Sequence, residues 1–181
     1  DLETAKELNA QVVRLYNQKK YKEALPLAER ALEIREKLLG PDDSDTAQSL
    51  HNLASQYTGL GFYAKAEPLH ARALAIREKY LGPWHERTIM SRNSLELTQY
   101  NKRLAESGAK ATVAWYKPNT IRVSFESGHF INDLSLLQGI PLTDLDLSSC
   151  KEIRDLSPLK GMPLKNLNLR GTKVDDLSPL S

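Results

Sequence analysis

The chain has 181 residues, a formal net charge of +2, 40% hydrophobic residues and 27% charged ones, the composition of one or two folded globular domains. Without a dense Lys/Arg run interleaved with aromatics it lacks the concentrated cationic face that nucleic acid binding requires, and no stretch of about 18 apolar residues would span a membrane. The single cysteine, Cys150, excludes an internal disulfide and points to a reducing, cytoplasmic setting.

From the N-terminus, the first organised signal is a repeat. YKEALPLAERALEIREKLLGP begins at Tyr21, and YAKAEPLHARALAIREKYLGP begins at Tyr63, an offset of 42 residues. Each unit reads as a pair of helices. Over Thr46 to Leu60, Leu50, Leu53, Ala54 and Tyr57 recur at three- and four-residue steps, the spacing of one helix face. Gly61 permits the turn, and the next helix presents Ala66, Leu69, Ala73, Leu74 and Ile76. Gly40-Pro41 and Gly82-Pro83 stop the second helices, because Gly accepts the left-handed cap and Pro cannot continue the helix. Ala24, Ala31, Ala66 and Ala73 are small enough for close helix approach, while Pro26 and Pro68 are expected near helix starts. A third unit begins at Thr88 with Leu95 in register, and no second helix is expected after Arg103.

The segment LHNLASQYTGLGFYAKAEPLHARALAIREKYLGP resembles a tetratricopeptide repeat of the 42-residue kind found in kinesin light chains. Asn52-Leu53-Ala54, Tyr57, Gly61, Tyr63, Ala66, Ala73 and Leu74 carry the likeness. Unit one departs from it, with Ala10 in place of Asn52 and Lys19 in place of Gly61. The resemblance covers residues 1–105 and implies a helical superhelix whose first-helix residues line a concave face. By register these are Lys6, Asn9 and Val13, then Gln48, His51, Asn52, Ser55 and Thr58, then Met90, Asn93 and Leu97. Amides and hydroxyls there suit the backbone of an extended peptide, and the apolar members suit its side chains. A solvated face with no ligand is the alternative.

Residues 106–119 read as a linker. Glu106 to Lys110 is a polar hinge, Thr112 to Tyr116 is β-prone and is expected to cap the following stack with Trp115 in its core, and Lys117 to Thr120 reads as a turn. Over residues 120–181 a second repeat appears. DLSLLQGIP at Asp133 returns as DLSPLKGMP at Asp155, and LTDLDLSSC at Leu142 returns as LKNLNLRGT at Leu164, both 22 residues on. Leu145 and Leu147 alternate with Asp144 and Asp146 as in a half-buried strand, and Val123/Phe125 and Leu167/Leu169 do the same. Ile153, Leu156 and Leu159 then turn back to fill the interior.

This pattern resembles a leucine-rich repeat, in a phrasing similar to that of large multidomain proteins of planctomycete-type bacteria. The fold class expected for the whole is therefore α + α/β: an α-helical superhelix of about five helices followed by a short solenoid with a parallel sheet. The resemblance implies protein recognition on the sheet face. That face would carry Arg122, Ser124 and Glu126, then Asp144, Asp146 and Ser148, then Asn166, Asn168 and Arg170. Cys150 falls where such repeats bury Asn or Cys; Gly128 and Thr172 hold the equivalent places.

Chemistry leaves no signature. His51, His70, His85 and His129 are scattered without metal-binding spacing, and no nucleophile elbow, P-loop or dinucleotide fingerprint occurs. Trp84-His85 reads as a variable loop, and Asp155, Asp175 and Asp176 read as turn caps. The expectation is a non-enzymatic scaffold without cofactor or metal that holds a peptide or protein partner. It would be a regulatory part of a larger bacterial protein, since the chain opens at Asp1 and stops inside a repeat. A spacer that positions an attached kinase or peptidase domain is the alternative, and the stack end leaves end-to-end association open.

Overall fold

The computed structural model describes the chain except residues 118–119, 126–130, 149 and 181, and except the side chains of 115–117 and 120. The expectations for Trp115, Glu126, Gly128 and His129 lie outside the described residues. Two compact units result, Asp1–Gln99 and Tyr100–Ser181.

The first unit is built from α1 (Leu2–Asn17), α2 (Tyr21–Leu39), α3 (Ser44–Gly59), α4 (Tyr63–Leu81) and most of α5 (Glu86–Glu106). Asp1 and Asp43 accept the backbone N–H groups of Thr4 and Asp45, so the first helices of both full repeats start on a side-chain cap. Alanines make the packing close: Ala24, Ala28, Ala31, Ala66 and Ala73 are fully buried, and Val12, Leu50, Leu53 and Ile76 fill the space between them. Gly59 is small for a reason of contact, since a Cβ there would stand 2.7 Å from the Tyr21 ring.

Pro26 and Pro68 lie inside α2 and α4, past the first turn, which corrects their expected place at the helix starts. Both prolines are on the exposed face, as are Lys22 and Ala64 four residues earlier. Water can therefore satisfy the carbonyls that the missing N–H groups leave open, and the helices continue through.

In the second unit β1 (Ala111–Lys117), β2 (Thr120–Phe125), β3 (Asp144–Asp146) and β4 (Asn166–Asn168) form one sheet in that order. β1 and β2 pair antiparallel with Val113 opposite Val123. The remaining pairs are parallel, Val123 beside Leu145 and Leu145 beside Leu167, so each step across the sheet is one 22-residue repeat. Short 3-10 turns at Ser135–Leu137, Ser157–Leu159 and Ser178–Leu180 return the chain beneath it. Leu145, Leu147, Cys150, Ile153, Leu156 and Leu159 are all buried between sheet and turns. Toward the end of the stack Leu167 and Leu169 are only half-buried, and Leu177 is 58% exposed.

Candidate functional site

A groove of about 310 Å³ opens on the first-helix side of the first unit. Val13 and Tyr16 of α1, His51, Asn52 and Ser55 of α3, and Met90 and Ser94 of α5 line it. Its rim is apolar and accessible, with Val13 47%, Tyr16 43% and Met90 42% exposed. This volume is at the small end of ligand pockets and admits one or two side chains.

Beneath the rim runs a continuous chain of hydrogen bonds, part-buried at Gln48 and buried from Asn52 onward. Arg77 Nη2 donates to Gln48 Oε1 at 2.8 Å. Gln48 Nε2 donates to Asn52 Oδ1, Asn52 Nδ2 to Asn9 Oδ1, and Asn9 Nδ2 to Ser49 Oγ, each at 2.8 Å. Arg35 Nη1 closes the far end on Ser49 Oγ at 3.2 Å. A guanidinium can only donate, so Arg77 fixes the orientation of every amide that follows it. The two arginines repeat one another. Arg35 also donates to the Asp45 carbonyl at 2.7 Å, and Arg77 to the Arg87 carbonyl at 3.2 Å and to Ser91 Oγ at 2.7 Å. Arg77 is only 2% exposed, and burial, then the neighbouring Arg87, lowers its pKa to about 10.

Of the expected groove residues, the fold brings Val13, Gln48, His51, Asn52, Ser55 and Met90 together. Asn9 is in the floor beside them, committed to Ser49 and Asn52. Lys6 is outside, on the exposed α1 surface with Glu3. Thr58 bonds the Ala54 carbonyl and Thr98, while Asn93 and Leu97 are half-buried and Ser94 takes the α5 position in the groove. Sequence reasoning did not single out Arg35 and Arg77. Their signal was available: both stand in the repeated Ile-Arg-Glu-Lys, and Ser49 and Ser91 share the same offset.

The sheet face of the second unit encloses about 560 Å³ and gathers Arg122, Ser124, Asp144, Asp146, Ser148, Asn166 and Asn168, with Lys165 beside them. Arg170 is exposed but does not line it. Asp144 is buried rather than solvent-facing, because Asn166 Nδ2 donates to its Oδ1 at 2.9 Å and Arg122 approaches to 3.8 Å. Hydrogen bonds from Ser148, its hydroxyl first and then its backbone N–H, hold the Asp146 carboxyl below the usual range. Asp155 and Asp176 accept the N–H groups of Ser157 and Ser178, so both act as turn caps. Cys150 is fully buried, and burial raises its thiol pKa, the opposite of an activated nucleophile.

Among the described residues no group of three or more His, Cys, Asp or Glu side chains is placed to hold a metal ion, and no helix is long and apolar enough to cross a membrane. Paired helices at a fixed offset, small residues between them and a groove on the first helices define a helical-repeat protein. Family comparison gives the class its name. The tetratricopeptide repeat model matches residues 9–58 and 45–106, more than half of the chain, which therefore belongs to the tetratricopeptide repeat family. No curated protein matches the chain. Tetratricopeptide repeats generally mediate protein–protein interaction and are generally non-catalytic.

Proposed function

We propose that the first unit captures an extended peptide segment of a protein partner in the α1–α3–α5 groove. The observation that carries this reading is the accessible apolar rim of Val13, Tyr16 and Met90 above a floor in which the amides of Gln48, Asn52 and Asn9 are already paired with one another. A partner that inserts an apolar side chain there gains burial without breaking the amide pairs of that floor. Asn9 and Asn52 then act by holding the floor, and Ser55 and Ser94 are the hydroxyls nearest the bound backbone. Residues 1–105 are the binding module in this reading, and its period is of the kinesin-light-chain kind. Residues 120–181, joined to it by 106–119, are a leucine-rich stack with a second, more polar face. On likeness of phrasing alone, we place both in a cytoplasmic, regulatory part of a larger bacterial protein.

Screening a displayed library of short extended peptides against the intact chain tests the reading. Saturable binders are expected, weakened at least about tenfold by Val13→Asp or Met90→Asp, a loss of about 1.4 kcal/mol or more. Lys6→Ala should leave them unchanged. If no peptide saturates, or the groove variants bind as well as wild type, the spacer reading takes its place.

A further inference from the structure

At the groove wall His51 of α3 meets His70 of α4 edge to face, with ring centroids 5.2 Å apart and planes inclined at 63°. His70 is 1% exposed, and Nδ1 of each ring is buried without a hydrogen-bond partner. Such rings are stable only as neutral imidazoles, because a buried cation with an unsatisfied N–H bears its full desolvation cost.

The surroundings add to that cost. From α4, Arg77 acts on both rings, and its own charge has no carboxylate partner among the described residues, only Gln48, Ser91 and the Arg87 carbonyl. From α5, the charge of Arg87 acts on Arg77. α2 contributes Arg35, bonded to Ser49 one turn-face away on α3, and α1 contributes only the neutral phenol of Tyr16 to the shared groove wall. No carboxylate is among the groups that act on either ring. Burial first, then the neighbouring His70 and Arg77, lower the pKa of His51 to about 3, and burial, then Arg77, lowers that of His70 to about 4.

We propose that the His51–His70 pair is an acid-operated catch, in which a proton taken up by either ring separates α3 from α4 and remodels the groove wall. A protonated ring needs water, and His70, 1% exposed, is cut off from it while α3 and α4 stay closed. Release of a bound peptide would follow, and that consequence rests on the groove reading above. Opening of the helix pair does not depend on any ligand, so the two readings fail separately.

The experiment uses the intact chain with the proton itself as probe. Histidine ring shifts and backbone amide exchange, corrected for intrinsic pH dependence, are followed by NMR from about pH 7.5 to 5, above the ordinary carboxylate range. Both rings should remain neutral in the folded chain, while the opening constant of α3 and α4 rises by up to about tenfold per pH unit for each ring, about a hundredfold for the pair, below about 6.5. The double variant His51→Phe/His70→Phe keeps two rings and should flatten that rise. If it does not fold, each single Phe variant should lower the slope. Rings that titrate near 6.5 in the folded chain, α3–α4 exchange that is flat to pH 5, or Phe variants that open as wild type does would each overturn the proposal. Peptide release on acidification with flat exchange would overturn it too and leave the groove reading standing.

Discussion

The hydrogen-bonded chain from Arg77 to Arg35 holds three side-chain amides in one orientation, so removal of a single member leaves its neighbours without partners. Asn9→Ala strands Asn52 Nδ2 and should destabilise the first unit by about 2 kcal/mol in urea unfolding, more than an exposed substitution such as Lys6→Ala. Lys19 is the one non-glycine residue with positive φ among the described residues, at 59°, where the second repeat uses Gly61 at 78°. Lys19→Gly relieves the steric cost of the left-handed region and should raise stability by about 1 kcal/mol. The histidine pair gives a pH dependence whose sign follows from linkage. Folded pKa values of about 3 and 4 lie below the unfolded value of about 6.5, so the unfolded chain binds more protons in between. Their contribution is complete above about pH 6.5 and is lost as the pH falls toward 4, by roughly 3 kcal/mol for His70. The thermal unfolding midpoint should fall more steeply on acidification across that window for wild type than for His70→Phe.

For helices, the decisive feature is the size of residues at contacts. Gly59 ends α3 against the Tyr21 ring, and Gly59→Ala gains helix propensity of about 1 kcal/mol but forces a Cβ into 2.7 Å contact. Overpacking costs about 1–3 kcal/mol, so a net loss of stability is expected from denaturant unfolding unless the ring swings aside, which a crystal of the variant would reveal. The strands follow a different logic. β3 and β4 are each three residues long, and Leu145, Leu147 and Cys150 are covered by the return segments through Ile153 and Leu159. Cys150 should therefore resist a thiol reagent in the folded chain and react on unfolding; rapid labelling under native conditions would contradict its burial.

Across the whole molecule, two periods govern two units, and each period was legible because stacked copies bury the same positions again and again. Forty-two residues separate Arg35 from Arg77 and Ser49 from Ser91, and twenty-two separate Val123, Leu145 and Leu167 in the sheet. The amino-acid sequence alone therefore determined the helix pairs, the strand alternation and the order in which helices and sheet follow one another. Contacts between residues far apart along the chain decided the rest. Only the folded structure showed that Asn9 and Asn52 face one another and are spent on the floor, that His51 meets His70, and that Asp144 is covered by Asn166. Periodicity reports which face a side chain occupies. Which partner it finds there depends on how neighbouring elements pack, and that pairing sets whether a polar group is free for a ligand or already satisfied.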